Sequence, residues 1–286
     1  MEQSQHRSRF CEAENREWFE IESNNWRGVL GEEIWSLTQD EKYLYCEVVH
    51  KNENTQTNAF VSSLKEKIRK YFRLDVSLAD LYKSWSQADP LFQNVSKSFP
   101  GVRILDQDPV ENVFSFICSS NNNIKRITNL VNHLCNEFGV VIGTLDDTEF
   151  YTFPPVDNLL RNGVQEKLRH LGFGYRAKYI EMSANVIHEK GGVDWLNHLR
   201  ELSYEEAHSQ ILELPGVGSK VADCICLMSL NHLQSVPVDT HVFQIASREY
   251  LPHLKGKKSL TTKIYNEISG HFRKLFGSYA GWAHSC

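Results

Sequence analysis

The sequence predicts an α+β protein, in which an antiparallel β-containing domain (residues 1–107) precedes an all-helical domain (residues 108–286). Two observations support this prediction. Between Trp26 and His50, hydrophobic and polar residues alternate with a period near two, which is typical of β-strands. Beyond Gln107, apolar residues recur at helical spacing between short clusters of Gly, Asn and Pro, which predicts helices and no further strand.

Turn residues divide the first domain into its expected elements. Gly31-Glu32 and Gln39-Asp40-Glu41 separate three alternating segments, so an antiparallel meander is expected. The polar segment from Lys51 to Asn58 predicts a loop, and the helical spacing of apolar residues between 61 and 72 predicts a helix after it. Residues 1–25 match no such pattern and are expected to be atypical, with an incomplete N-terminus as one explanation.

Composition excludes several classes of protein. The chain has 286 residues, of which 41% are hydrophobic, and this is enough for a buried core without disulfide or zinc staples. It contains no run of about 20 apolar residues and no apolar leader, so membrane and secreted proteins are not expected. The seven cysteines are odd in number and never spaced Cys-x-x-Cys, which predicts reduced thiols and neither a metal nor an iron–sulfur cluster.

Charge is distributed unequally along the chain. The overall net charge is −5. Residues 1–160 contain 16 Lys and Arg against 24 Asp and Glu, whereas residues 161–286 contain 15 against 12. Proteins bind nucleic acids largely through the phosphates, so the basic second part is where a phosphate-facing surface is expected.

The helical domain begins with a strong helix start. Asp108 is followed by Pro109 and Glu111, which is the pattern of an N-cap, a first helical residue and a capping glutamate. A capping box at Ser203 predicts another short helix, which should end at Leu214. Further helices are expected over four segments between these two, at residues 124–138, 164–171, 177–189 and 193–199.

A glycine-containing hairpin connects two of the predicted helices. Residues 214–220 read Leu-Pro-Gly-Val-Gly-Ser-Lys. Two glycines around one apolar residue predict a tight turn with positive φ, and Ser219 is predicted to cap the next helix. Gly216, Val217 and Gly218 would then present backbone N–H groups to a nucleic-acid phosphate. A plain helix–turn–helix connection is the alternative interpretation.

Lys220 and Asp239 are the candidate reactive groups. Lys220 lies in the first turn of a predicted helix, where the helix dipole disfavours positive charge, and a neutral amine is a nucleophile. Asp239 is predicted to be the N-cap of the following helix. A carboxylate beside a pocket also stabilises an oxocarbenium-like sugar. The alternatives are a phosphate contact for the lysine and a purely capping role for the aspartate.

These motifs resemble those of a known family. Residues 214–228 (Leu-Pro-Gly-Val-Gly-Ser-Lys-Val-Ala-Asp-Cys-Ile-Cys-Leu-Met) and 236–241 (Val-Pro-Val-Asp-Thr-His) are similar to the helix-hairpin-helix DNA glycosylase superfamily and, within it, to the 8-oxoguanine DNA glycosylases. Residues 108–126, 171–179 and 279–283 agree with this resemblance. It implies double-stranded DNA containing oxidised guanine as the partner and no cofactor. A monomer is expected, in the nucleus, with a mitochondrial form as an alternative.

The resemblance also implies roles for individual residues. Lys220 would displace the damaged base and form a Schiff base, from which β-elimination nicks the strand, and Asp239 would assist the displacement. The base pocket would be lined by Cys224, Met228 and His284, the last standing where the family has Gln. The implied DNA-binding residues include the hairpin residues Gly216, Val217 and Gly218. Asn121 would fill the gap left by the flipped nucleotide, and Tyr175 would wedge the stack. Arg126 and Arg176 would pair with the orphaned cytosine, and His241 would contact a phosphate.

The chain departs from the family pattern at both ends. The segment Gly-Gln-Ser/Ala-Phe-Arg-Trp is not found before Gly28, and the sequence ends at Cys286, before the expected Phe. An incomplete gene model, a splice variant or a truncated chain is the expected reason, rather than a new specificity. Three functions are therefore considered: excision of 8-oxoguanine opposite cytosine, lyase action on other oxidised purines or abasic sites, and DNA binding without cutting.

Overall fold

The structure, a computed structural model, describes residues 18–40, 42–50 and 58–286. Its architecture confirms the α+β fold class, since an antiparallel sheet is followed by a predominantly helical body. The strands are β1 (Phe19–Glu22), β2 (Asn25–Leu30), β3 (Glu33–Gln39), β4 (Leu44–His50), β5 (Val141–Leu145) and β6 (Thr148–Tyr151).

Helices account for most of the described chain. The α-helices are α1 (Asn58–Tyr71), α2 (Leu78–Ala88), α3 (Pro90–Val95), α4 (Pro109–Ser119), α5 (Ile124–Phe138), α6 (Val164–His170), α7 (Arg176–Glu189), α8 (Val193–His198), α9 (Tyr204–Ile211), α10 (Ser219–Ser229), α11 (Thr240–Ile245), α12 (Thr262–Phe276) and α13 (Ala280–His284). Shorter helical segments lie at Val156–Leu160, Ala246–Tyr250, Pro252–Leu254 and Gly277–Tyr279.

Strands β2 to β4 form the predicted meander, and β1, which lies in the stretch expected to be atypical, adds a fourth antiparallel strand beside β2. Successive side chains of β3 point to opposite sides of the sheet, so its two faces pack against different parts of the protein. Trp35 and Leu37 pack with Ile68 of α1, whereas Ile34 faces the other way, towards β5 and β6. The predicted loop falls outside the described residues up to position 57, as do residues 1–17 of the stretch expected to be atypical.

The hairpin of β5 and β6 contradicts the prediction that no strand follows Gln107. Its two-residue turn is made by Asp146 and Asp147, whose φ angles are 49° and 59°. Ile142 and Phe150 of this hairpin pack against the main sheet. A short apolar run is ambiguous between helix and strand by periodicity alone, and here the turn contains no glycine to resolve the ambiguity.

The core of the helical body centres on α4 and α10, which contact each other and are buried over most of their length. Helices α2 and α3 also pack on this core. Trp85 of α2 and Phe92 of α3 are buried in it, and the ring of Phe92 lies 5.8 Å from that of Phe276. The domain boundary at residue 107 stays a prediction, and packing is continuous across it.

Local helix signals agree well with the structure. The Asp108 carboxylate accepts hydrogen bonds from the N–H groups of Val110 (2.9 Å) and Glu111 (3.0 Å), and Ser203 forms the predicted capping box. The four helices predicted between these caps are found to within one residue of their bounds. Helix α9 ends at Ile211, before the predicted Leu214, and the N–H groups of Glu213 and Leu214 bond three residues back, in turns and not in the α-helical pattern.

Thiol pairing, metal clusters and membrane spans are described for residues 18–40, 42–50 and 58–286. The six cysteines that lie in them form no disulfide, and Cys11 falls outside. No cluster of three or more His, Cys, Asp or Glu side chains there is arranged to hold a metal. None of the helices in those ranges is both long enough and apolar enough to span a bilayer.

Candidate functional site

The hairpin between α9 and α10 has one glycine whose conformation requires it. Gly216 adopts a φ of 87°, and a Cβ there would lie 2.7 Å from the ring of Tyr179. The N–H of Val217 donates to the carbonyl of Leu214 (3.1 Å), which closes the turn. The positive φ predicted for this turn is therefore confirmed at Gly216, where close packing against α7 also excludes a side chain.

The second glycine of the hairpin, Gly218, differs from the prediction. Its φ of −105° and ψ of 177° are extended values that any residue adopts, and no atom lies within 4 Å of the position a Cβ would occupy. Gly218 is also the N-cap of α10, so the prediction that Ser219 caps this helix is wrong: Ser219 is already the first helical residue. The first N–H groups of α10 therefore receive no side-chain cap.

Lys220 lies in the first turn of α10 and is partly buried. Its Nζ atom is 5.3 Å from the centre of the Phe116 ring, which belongs to α4 and is buried. This is a cation–π distance. Cys224 and Met228 follow at intervals of four residues and are both buried, so they lie behind Lys220 on the same face of the helix. The structure therefore aligns the predicted nucleophile with two predicted pocket residues.

Asp239 is the N-cap of α11, as predicted, and its carboxylate accepts a hydrogen bond from the N–H of Val242 (2.8 Å). The charge of the Asp239 carboxylate acts on the imidazole of His284, on α13. Burial lowers the pKa of His284, the Asp239 carboxylate opposes that shift, and the Lys220 ammonium adds to it. The charges of Lys220 and Asp239 both act on His284, so each lies within electrostatic range of that imidazole.

Ser120 is the centre of a second group of predicted site residues. Its carbonyl accepts a hydrogen bond from the hydroxyl of Tyr175 (3.1 Å) and another from the guanidinium of Arg176. Arg176 also donates to the carbonyl of Asn121 (3.2 Å). Asn121 is exposed and has a φ of 47°, a left-handed conformation that asparagine tolerates. The predicted gap-filling and wedge residues are thus neighbours.

The two predicted cytosine-facing arginines lie on either side of this group but in different environments. Arg176 is buried, and its guanidinium carbon lies 4.6 Å from the centre of the Tyr175 ring. Arg126 is exposed and donates to the carbonyl of Gly172 (3.1 Å). Both guanidinium groups therefore contact backbone carbonyls of loops that connect helices.

Helices α4 and α7 connect the surroundings of Lys220 with the residues grouped around Ser120, called the Ser120 region below. Phe116 lies in the last turn of α4, which ends at Ser119, directly before Ser120. Tyr179 of α7 packs on Gly216 and lies 5.8 Å from the ring of Tyr175. The hairpin, the lysine and the Ser120 loop are therefore held on a common rigid frame. His241 is exposed in the first turn of α11, two residues beyond the Asp239 cap.

Sequence reasoning missed a buried carboxylate behind this site. Asp223 of α10 is fully buried and accepts hydrogen bonds from the hydroxyls of Tyr204 (2.6 Å) and Tyr265. Burial and the nearby Asp223 charge raise the pKa of both tyrosines. An aspartate within an apolar helical segment was the available signal. No sequence signal identified Phe116, because its position does not differ from those of the other apolar residues in its helix.

Comparison with known proteins decides the family. Residues 3–113 match the family model of the 8-oxoguanine DNA glycosylase N-terminal domain, and residues 114–269 match that of the HhH-GPD superfamily base excision DNA repair protein. The chain belongs to the 8-oxoguanine DNA glycosylase family.

Two curated relatives agree with this assignment over most of their length. The N-glycosylase/DNA lyase OGG1 of Arabidopsis thaliana is 39% identical over 273 residues, which cover 94% of this chain and 72% of the relative. The N-glycosylase/DNA lyase of Saccharomyces cerevisiae is also 39% identical and covers 86% of this chain and 73% of its own length. The glycosylase described here is therefore an enzyme of the DNA N-glycosylase class with AP lyase activity.

Solved structures of a bacterial relative share the fold. The apo form of Clostridium acetobutylicum 8-oxoguanine glycosylase/lyase superposes with a TM-score of 0.80 at 28% identity and covers 96% of this chain and 88% of that one. The same enzyme in complex with double-stranded DNA containing cytosine opposite 8-oxoguanine gives a TM-score of 0.80 at 27% identity, with coverages of 96% and 87%.

Proposed function

We propose that this glycosylase excises 8-oxoguanine opposite cytosine from double-stranded DNA and then cuts the strand through an imine on Lys220. The observation that carries the proposal is the position of Lys220 on the Phe116 ring, with Lys220 and Asp239 both within electrostatic range of His284. The bacterial relative in complex with DNA containing cytosine opposite 8-oxoguanine supports the choice of substrate.

The first chemical step is displacement of the damaged base. As the N-glycosidic bond breaks, the base leaves with the bonding electrons and takes up a proton, and positive charge develops at C1′ of the deoxyribose. The Asp239 carboxylate stabilises this oxocarbenium-like charge. The Lys220 ammonium first releases a proton to water, the lone pair of its Nζ then forms the bond to C1′, and the nitrogen gives up a second proton to the departing base.

The second step cuts the DNA strand. Opening of the sugar ring converts the C1′–N bond to a protonated imine, which withdraws electrons from C2′. Loss of a proton from C2′ then allows the bond between C3′ and its oxygen to break, and the phosphate leaves with that electron pair. Water finally hydrolyses the imine and releases Lys220. The sequence of steps uses no cofactor.

DNA binding is proposed to combine phosphate contacts with side chains that replace the extruded nucleotide. The uncapped N–H groups at the hairpin and the exposed His241 would bind phosphates on either side of the lesion. Extrusion of a base costs a few kcal/mol of stacking and pairing. Asn121 would fill the gap and Tyr175 would wedge the stack, while the two arginines of the Ser120 region would hydrogen-bond the orphaned cytosine.

The base pocket is proposed to lie against α10 and α13. Cys224 and Met228 supply buried walls, and His284 supplies a polar edge. Because burial lowers the pKa of His284, its ring is neutral at pH 7 and offers one donor and one acceptor nitrogen. A neutral edge suits an uncharged base better than an imidazolium would.

Borohydride trapping tests the proposal. Wild-type protein with a duplex containing 8-oxoguanine opposite cytosine should give a covalent protein–DNA adduct, and Lys220→Ala should give none. No adduct from the wild type would leave only DNA binding. A panel of duplexes with 8-oxoguanine opposite cytosine or adenine, another oxidised purine, or an abasic site separates the substrates. Equal rates across the panel would favour the broader lyase activity.

We also propose that one copy of the chain is the active unit and that it works in the nucleus, with a mitochondrial form as the alternative. All the residues assigned to the reaction come from one chain. Sedimentation of the protein with a duplex should give a one-to-one complex, and a complex with two protein copies would contradict this assignment. Imaging of a tagged chain tests the location.

A further inference from the structure

The buried carboxylate of Asp223 lies one turn after Lys220 on the same helix. It is fully buried, and hydroxyl groups donate to both of its oxygens. Tyr204 (2.6 Å) and Ser235 (2.6 Å) contact Oδ1, and Tyr265 contacts Oδ2. A buried carboxylate with this many donors has a fixed position, because loss of any donor leaves an uncompensated charge.

One of these donors also contacts the chain that leads into Asp239. The hydroxyl of Tyr265, on α12, accepts a hydrogen bond from the N–H of Val238 (3.3 Å). A hydroxyl has one proton, which Tyr265 donates to Asp223, so the lone pairs of its oxygen face Val238. Tyr265 therefore bridges Asp223 on α10 to the residue that immediately precedes Asp239.

The segment that carries Val238 depends on such contacts for its position. Residues 235–239 belong to no helix or strand, yet Val236 and Val238 are buried. Gly281 of α13 packs so closely on this segment that a Cβ there would collide with the carbonyl oxygen of Ser235. The bridge from Tyr265 fixes the other end of the segment, next to Asp239.

From these contacts we infer that Tyr265 is a positioning residue for Asp239. It links the backbone before Asp239 to Asp223, which shares α10 with Lys220. The position of the Asp239 carboxylate relative to the lysine amine thus depends on the packed helices α10 and α12 and not on the irregular segment alone. The inference rests on the proposed function, because it assigns Tyr265 to the step that Asp239 assists.

Two phenylalanine variants form a matched test. Tyr265→Phe removes the hydroxyl that contacts both Asp223 and Val238. Tyr204→Phe removes a hydroxyl that contacts the same carboxylate but comes from α9. Both variants lose one donor to Asp223, so both should lower the melting temperature by a similar amount. Only Tyr265→Phe should displace Asp239.

The readout is the ratio of two single-turnover trapping rates. With a duplex containing 8-oxoguanine the rate includes base displacement, which needs Asp239, whereas with a preformed abasic site imine formation needs only the lysine. Tyr265→Phe should reduce the first rate about tenfold, a loss of about 1.4 kcal/mol in transition-state stabilisation. It should change the second less than twofold. Tyr204→Phe should leave the ratio of the two rates unchanged.

The outcomes separate the inference from the proposed function. If the wild type traps neither duplex, the proposed function fails, and the inference fails with it. If the wild type traps both and Tyr265→Phe lowers both rates equally, or lowers neither, the proposed function stands and the positioning role is overturned. If Tyr265→Phe does not fold, Asp223→Asn keeps the side-chain shape and weakens the bridge. A selective loss of about threefold on the 8-oxoguanine duplex is then expected, and an unchanged ratio overturns the inference.

Discussion

Gly218, in the hairpin before α10, and the glycines around β5 and β6 have opposite surroundings. Gly139, which ends α5, is so close to other backbone that a Cβ there would collide with the carbonyl oxygen of Thr152. Gly143 in β5 is similarly covered by the ring of His50. Around Gly218, by contrast, nothing lies within 4 Å of the Cβ position.

The comparison distinguishes two uses of a missing side chain. In the β5–β6 region the space is already filled by the protein itself, so glycine serves packing. At Gly218 the space is empty, and it lies in front of a helix start without a side-chain cap. A glycine that the fold does not require, next to backbone N–H groups without partners in the helix, is what a phosphate-binding surface needs.

The largest effect is expected for Gly139→Ala. A methyl group there meets backbone on both sides, which cannot rotate away, so the free energy of unfolding should fall by about 3 kcal/mol. Urea unfolding measures this change. DNA affinity of the folded fraction should be unaffected, because Gly139 is part of the β5–β6 region.

Gly270→Ala is the matched control for that substitution. Gly270 lies inside α12 with nothing within 4 Å of its Cβ position and no positive φ. Alanine is a better helix former than glycine, so stability should rise by roughly 0.5–1 kcal/mol. A loss of stability at Gly270 comparable to that at Gly139 would show that crowding does not explain the difference.

Gly218→Leu should have the next largest effect, and on DNA binding alone. The backbone there suits any residue, so the free energy of unfolding should change by less than about 0.5 kcal/mol. A bulky side chain in front of α10 should weaken binding about tenfold, or 1.4 kcal/mol, for lesion and undamaged duplexes alike. Gly218→Ala should give a smaller loss.

Titration with salt completes the Gly218 test. Wild-type affinity should fall steeply as salt increases, because phosphate contacts release counterions. Gly218→Leu should show a shallower dependence, since it removes phosphate contacts. A loss of affinity restricted to one lesion would contradict a role in general phosphate binding.

The smallest effect is expected for the pH dependence of stability. Burial lowers the pKa of His284 below its ordinary value of 6.5, so the unfolded chain binds this proton more readily than the folded protein. The contribution of the neutral imidazole to the free energy of unfolding is complete above about pH 6.5. It is lost as the pH falls from there towards the lowered pKa of His284. His284→Gln should make this loss smaller. His232, whose pKa burial also lowers, should supply the remaining slope, and an unchanged profile would exclude His284 as a source.

Much of this molecule could be predicted from local sequence. Asp108, Ser203 and Asp239 were identified as caps because each is a short polar side chain just before an apolar helical pattern, and all three cap helices in the structure. The meander was predicted from its period of two. The alignment of Lys220 with Cys224 likewise follows from helical geometry, since four residues make about one turn.

Other features depend on residues that are distant in sequence. The conformation of Gly218 could not be predicted because a Gly-x-Gly pair is compatible with more than one turn. Asp223 was visible as a polar residue in an apolar helix, but its partner Tyr265 lies 42 positions away. No local pattern specifies that a hydroxyl on α12 will meet both that carboxylate and the N–H of Val238.

The sequence by itself determined the fold class, the helix starts and the presence of one lysine at a helix start after a glycine hairpin. These follow from backbone sterics and hydrophobic periodicity, which act over a few residues. The tertiary structure alone decided which aromatic ring lies under Lys220, which helix fixes the segment before Asp239, and which glycine faces open space. Those contacts depend on how buried surfaces from distant segments fit together, and such packing has no signature within a single segment of the chain.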